Sequence, residues 1–160
     1  MTAKNNIIFI ACDTTSLPKI KKIIKLTKNT SLSVGYKSGL EFFNSKYGRV
    51  FISKLPKQHI VWLDLKLKDI PNTVSSSIYS LKDLTNLRYL TIHASGRIEM
   101  MRAAKQISTT TNKKLKILAV TVLTSYSEKS LKQKGHTKTI KKVVIQQASL
   151  ATKAKLDGLV

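Results

Sequence analysis

Short apolar runs suited to strands alternate along this chain with segments of helical periodicity, and that alternation leaves few architectures open. The runs are Ile7 to Ala11, Ser33 to Tyr36, Ile60 to Leu65, Tyr89 to Ile92, Leu115 to Val122 and Leu156 to Val160. Between them, Leu17 to Thr27, Leu40 to Leu55, Asn72 to Leu84, Ile98 to Ser108 and Thr139 to Lys153 repeat apolar residues at the spacing of one helix face. Pro71 and Asn72 suit a first helical turn, where a missing backbone N–H costs no hydrogen bond. Strands separated by helical crossovers pair in parallel, so the series predicts a parallel α/β fold. At 160 residues and 42% hydrophobic, the chain can bury a core of that kind.

The strand ends narrow the choice. Asp13 follows the first run, Lys37 the second, Asp64 and Lys66 close the third, His93 the fourth, and Thr124 with Ser125 the fifth. In a βα-barrel, strand ends converge on the face where catalytic residues gather. An open doubly wound sheet also binds ligands beyond its strand ends, but it more often carries a glycine-rich loop after the first strand. Ala11-Cys12-Asp13-Thr14-Thr15 has no glycine. The predicted fold class is therefore α/β, a partial TIM (β/α)8 barrel with about six parallel strands and five helices. Residues 1–160 are expected to form one incomplete barrel domain holding strands 1 to 6, because complete barrels take about 250 residues. Exposed sheet edges in such a chain favour aggregation.

The run Asp64-Leu65-Lys66-Leu67-Lys68-Asp69-Ile70-Pro71 follows directly on Ile60-Val61-Trp62-Leu63. Side chains alternate along a strand, so Asp64 and Lys66 share one face while Leu63, Leu65 and Leu67 take the other. Burying ions is a poor way to gain stability even when they are paired. The cluster is read as the centre of an active site, with a purely structural ion pair as the plain alternative.

The formal charge of +21 comes from 29 basic and 8 acidic residues. Arg49, Arg88, Arg97 and Arg102 are the only arginines, whereas nucleic-acid recognition favours the arginine fork. Lys19, Lys21, Lys22, Lys25 and Lys28 interleave with Leu17, Ile20, Ile23, Ile24 and Leu26, as on the wet side of an amphipathic helix. A nucleic-acid partner is not expected, a basic nucleic-acid-binding module being the alternative from another class, and the positive field suits an anionic small molecule such as a phosphorylated substrate. No apolar stretch approaches the roughly 20 residues of a membrane helix, so no membrane partner is expected. Met1-Thr2-Ala3-Lys4-Asn5-Asn6 does not read as the start of a signal peptide. Cys12 is the only cysteine, which fits a reducing cytoplasm and a small buried residue better than a nucleophile. Trp62 reads as core.

The stretch Asp64-Leu65-Lys66-Leu67-Lys68-Asp69-Ile70-Pro71-Asn72-Thr73 resembles the signature of the orotidine 5'-phosphate decarboxylase family: Asp, any, Lys, any, any, Asp, Ile, Pro and then usually a threonine. The likeness extends over almost the whole chain. Ala11-Cys12-Asp13 is similar to the first-strand motif, Lys37-Ser38-Gly39-Leu40-Glu41-Phe42-Phe43 to the second, and Thr91-Ile92-His93-Ala94-Ser95-Gly96 to the fourth. Ala119-Val120-Thr121-Val122-Leu123-Thr124-Ser125 resembles the fifth, and Leu156-Asp157-Gly158-Leu159-Val160 the start of the sixth. Lys68 departs from a common histidine, and Arg97 from a common second glycine. The family's phosphate-gripping elements after strands 7 and 8 have no counterpart in the sequence.

The resemblance implies decarboxylation of orotidine 5'-phosphate to uridine 5'-phosphate in pyrimidine biosynthesis, without metal or organic cofactor. It implies Lys66 as proton donor and stabiliser of the C6 carbanion, with Asp64 beside the substrate carboxylate. Lys37, Asp64, Lys66 and Asp69 resemble the family's alternating charge network. It implies a homodimer in which Asp69 and Thr73 come from the neighbouring subunit, Thr73 at the ribose. Asp13 and Lys37 would bind ribose hydroxyls, and Thr124 the pyrimidine. Asp13 has a plainer alternative as a helix cap, and His93 reads as structural. Without the phosphate grip, the chain alone is expected to have little or no activity. The rival enzyme reading is a magnesium-dependent sugar-phosphate decarboxylase or aldolase of the same superfamily, whose members generally lack the Ile70-Pro71-Asn72-Thr73 continuation.

Overall fold

The computed structural model describes residues 6–28, 30–133, 135 and 137–160; Met1 to Asn5, at the head of the segment read against a signal peptide, lie outside the described residues. The elements run β1 (Ile8–Ala11), α1 (Leu17–Thr27), β2 (Val34–Gly39), α2 (Leu40–Phe43), α3 (Gly48–Lys54), β3 (Ile60–Leu67), α4 (Pro71–Tyr79) and β4 (Leu87–His93). There follow α5 (Arg97–Thr111), β5 (Lys116–Val120), α6 (Glu128–Gln133), α7 (Ile140–Lys153) and β6 (Gly158–Leu159). The strands form a six-stranded sheet in chain order, β1-β2-β3-β4-β5-β6. β1 pairs with β2, β2 with β3 and β5 with β6, each in parallel. A doubly wound sheet reverses its strand order at a switch point. This one does not, which is the connectivity of a partial βα-barrel.

The chain divides into two compact units, Met1–Leu65 with Lys82–Leu90, and Lys66–Leu81 with Thr91–Val160. In the first, Val61 and Leu63 on β3 are buried with Ile20 of α1, Phe42 of α2 and Ile52 of α3. Phe9 meets Trp62 edge-on, with ring centroids 5.1 Å apart, and Tyr89 at 5.2 Å. Gly35 permits this cluster, since a Cβ there would lie 2.4 Å from Cε1 of Phe9. Trp62, read as core, is half-buried among these rings.

Seven α-helices stand among the described residues where five were expected. The segment Leu40 to Leu55 is two helices, because the Ser45 hydroxyl donates to the Phe42 carbonyl at 2.7 Å. A side chain that competes for a helical acceptor in this way favours a turn over another helical residue. Gly48 then starts α3 so close to α2 that an added Cβ would lie 1.7 Å from the Phe42 oxygen. α6 is the other addition, a short helix with only Leu131 buried and hence a weak periodic signal. α4 stops at Tyr79 rather than Leu84, where the Ser80 hydroxyl bonds the Ser77 carbonyl at 2.7 Å.

In the second unit, α4 and α5 carry the buried side chains Val74, Ile78, Met100, Met101 and Ala104. Asp157 ties α5 to the strands that follow it. Its carboxylate accepts from Lys105 Nζ at 2.6 and 2.7 Å and from the Ile117 N–H at 2.8 Å. No helix among the described residues is long and apolar enough to cross a membrane.

Asn86 is a polar group on which the first unit depends. It is buried, and its Nδ2 donates to the carbonyls of Ile52 at 3.0 Å and Leu55 at 3.4 Å, which closes the end of α3. Replacing Asn86 with leucine removes both bonds, leaving the Ile52 carbonyl only the Leu55 N–H at 3.2 Å, and is expected to lower the unfolding free energy by about 1–3 kcal/mol. Urea denaturation of the two proteins measures the difference.

Candidate active site

In the first unit, Lys37 lies between two carboxylates. Its Nζ is 3.8 Å from Oδ2 of Asp13 and 3.5 Å from Oδ2 of Asp64. Parallel register makes the arrangement: Ala11 pairs with Lys37, two residues before Asp13, and Gly39 pairs with Asp64. The exposures are graded, 60% for the Asp13 side chain, 23% for Lys37 and 14% for Asp64. The ammonium therefore holds one wet and one sheltered carboxylate. Asp13 does not cap the next helix, whose N-cap is Ser16. Lys37, expected just past its strand, sits inside β2, because the strand continues through Gly39.

Burial along β3 alternates as its sequence predicts from Val61 to Lys66, whereas Leu67, expected on the buried face, is only partly buried. Val61, Leu63 and Leu65 are buried, while Trp62, Asp64 and Lys66 keep partial exposure. An acid and a lysine on that face avoid the full cost of desolvation and stay available to a ligand.

Lys66 opens the second unit. Its backbone stands at φ 49, the left-handed region. The Lys66 N–H donates to Oγ1 of Thr91 at 3.0 Å, and Thr91 on β4 is 0% exposed. Sequence reasoning passed over Thr91. The available signal was a threonine within the apolar run Tyr89 to Ile92.

Past β3, Lys68, Asp69, Ile70, Pro71, Asn72 and Thr73 are all exposed. Asp69 turns its own carboxylate onto the Ile70 N–H at 2.7 Å, which orders the entry to α4. Lys68, Asp69, Ile70 and Arg97 line a cavity of 610 Å³. Lys68 also borders one of 310 Å³ with His93, Thr121 and Gln147. Arg97 stands at φ 68, in the left-handed region that favours glycine. Thr124 was expected at the fifth strand's end. β5 stops at Val120, and Thr124 lies exposed on the loop beyond it. Thr121 ends the ladder there by bonding the Val160 carbonyl through its N–H at 3.0 Å. Of the site residues read from sequence, Asp13, Lys37 and Asp64 are brought together in the first unit; Lys66, Asp69, Thr73 and Thr124 belong to the second.

Comparison with known proteins follows the same lines. Residues 6–160 match a family model described as "Orotidine 5'-phosphate decarboxylase / HUMPS family". Over 155 residues the chain is 36% identical to orotidine 5'-phosphate decarboxylase of Fusobacterium nucleatum, covering 96% of this chain and 64% of that protein. It is 40% identical over 157 residues to the enzyme of the same name from Wolbachia sp. subsp. Brugia malayi, covering 97% and 67%. The crystal structure of orotidine 5'-phosphate decarboxylase from Lactobacillus acidophilus matches with a TM-score of 0.82 at 31% identity, over 95% of this chain and 69% of that one. The chain thus spans about two thirds of the length of the curated relatives it matches.

Cys12 lies beside this charge cluster without the properties of a nucleophile. Its thiol is buried, and its pKa is pushed up to about 11 by that burial, with Asp13 adding to the rise and Lys37 opposing it. The thiolate that would react is therefore suppressed at neutral pH. Alkylation by iodoacetamide at pH 8 is expected to be slow in the native protein and fast in denaturant, followed by mass spectrometry. The raised value also sets a sign for stability. The contribution of the neutral thiol is fully present below pH 9, the thiol's ordinary value, and is lost as pH climbs through about 11. Cys12→Ala should flatten that alkaline fall in a pH series of melting temperatures.

Proposed function

Since the chain belongs to the orotidine 5'-phosphate decarboxylase / HUMPS family, we propose that the protein carrying it removes carbon dioxide from orotidine 5'-phosphate and releases uridine 5'-phosphate. The observation that carries this reading is Lys37 paired to both Asp13 and Asp64, with Lys66 two positions beyond Asp64 on the same strand. The reaction needs that order of charge. When the C6–carboxylate bond breaks, its electron pair stays on C6 and carbon dioxide departs. The Lys66 ammonium faces the carbanion, stabilises it and delivers a proton to C6. Asp64 repels the substrate carboxylate more strongly as water is excluded, and that repulsion ends when carbon dioxide leaves. Lys37 orients both carboxylates, and Asp13 with Lys37 receives the ribose hydroxyls.

Asp69 and Thr73 act in a second copy of the chain, in a cytoplasmic homodimer. Their exposure, at the loop before α4 and in its first turn, supports that role. Thr124, exposed beyond β5, bonds the pyrimidine. No metal or organic cofactor takes part in the scheme. The Ile70-Pro71-Asn72-Thr73 continuation and the names of the relatives favour it over a magnesium-dependent sugar-phosphate reaction.

Release of label from carboxyl-labelled orotidine 5'-phosphate tests the assignment. Lys66→Ala is expected to lower the rate by at least about 10²-fold, while uridine 5'-phosphate still binds. Turnover unaffected by Lys66→Ala, or a strict need for magnesium, would overturn it.

A further inference from the structure

Lys66 adopts a backbone conformation unusual for a residue within a strand. At φ 49 it lies where a residue with a Cβ is strained. Asparagine and aspartate can offset the strain by local hydrogen bonds, but a long lysine cannot. Such a conformation persists only where the surroundings over-determine it.

Part of that surrounding is visible. The Lys66 N–H points to Oγ1 of Thr91, 3.0 Å away, and not a trace of Thr91 reaches solvent. Its neighbours Leu90 and Ile92 are equally buried. Valine has the shape of threonine and would suit an apolar setting better, because a buried hydroxyl costs free energy unless it is bonded. The hydroxyl therefore requires a reason, and the Lys66 amide supplies one. A side-chain oxygen reaching from β4 meets the N–H of the residue at which the β3 backbone leaves regular strand geometry.

We propose that Thr91 is a positioning residue: its buried hydroxyl holds the Lys66 amide, turns the backbone left-handed there and so fixes the direction in which the Lys66 ammonium leaves β3. The backbone part stands on geometry alone. Its bearing on turnover rests on the reading of Lys66 as proton donor.

Three variants of the full chain test it. Thr91→Val removes the hydroxyl and keeps the shape, Thr91→Ala removes both, and Thr91→Ser keeps the acceptor. Amide exchange at Lys66, followed by nuclear magnetic resonance, should quicken about tenfold in Thr91→Val or Thr91→Ala. Leu63, on the same strand, should keep its protection, and Thr91→Ser should restore that of Lys66. The Lys66 Nζ resonance should move with the amide in each variant. Unchanged Lys66 protection in a folded variant without the hydroxyl, or failure of serine to rescue it, overturns the proposal. Adding uridine 5'-phosphate separates the two readings. If the Lys66 Nζ resonance of the unmodified protein ignores the nucleotide, the assigned function fails while the amide result still decides the role of Thr91.

Discussion

The alternation of burial along β3 is the constraint from which the rest follows. Val61, Leu63 and Leu65 anchor one face, and the fixed period of two then commits Trp62, Asp64 and Lys66 to the other. A slip of one residue would drive Asp64 and Lys66 into the space of the leucines, at a cost far above the few kcal/mol that separate native from unfolded chains. Register is therefore pinned by hydrophobic burial. The charges inherit a position they did not choose, and this is why a stable core can hold a reactive face steady.

On that face, the pairing of Lys37 with two carboxylates is a costly arrangement in folding terms. Exposed ion pairs contribute about 0–1 kcal/mol, and partly buried ones must offset desolvation before they contribute anything. Arg49 and Asp83 show the ordinary case. They form a bidentate pair at 2.8 and 2.9 Å between exposed side chains, and the guanidinium holds the Asp83 carboxyl below its usual range. Lys37 differs in every respect. Its contacts are longer, its partners are unequally sheltered, and it serves two acids at once. A pair built for stability would be tighter and have one partner. A cation that holds two carboxylates without neutralising either is suited to a ligand that brings its own charges.

How far the sequence could be read depended on the range of the interaction. Period-two burial and period-3.6 faces are local, so all six strands and the longer helices were legible from apolar runs. The break at Ser45 was missed because a single hydroxyl bond outweighed a continuous periodic pattern. Asp64 and Lys66 were legible because charge within a buried strand is anomalous on its own. Thr124 was legible as a motif but not as a position, since the end of β5 is set by pairing with β6 and by the Val160 carbonyl. Thr91 left only a faint mark in the sequence, a hydroxyl within an apolar run. Its partner is 25 residues away, and threonine in a strand attracts no notice.

Left-handed backbone at Lys66 and at Arg97 shows how one fold can carry the same strain for different reasons. Arg97 stands at φ 68 just after Gly96, whose hydrogen side chain leaves room for the Met100 sulfur that would otherwise lie 2.3 Å from a Cβ. There the close packing of Met100 against the turn dictates the backbone path into α5, and a residue with a Cβ is tolerated at a position suited to glycine. Glycine at Lys66 would relieve the strain equally well. It would also remove the ammonium that Lys66 carries. The strain at Arg97 is thus a consequence of the path of the chain, whereas the strain at Lys66 accompanies the side chain to which the proposed reaction assigns the proton. A buried acceptor is recorded for the lysine amide, in the hydroxyl of Thr91.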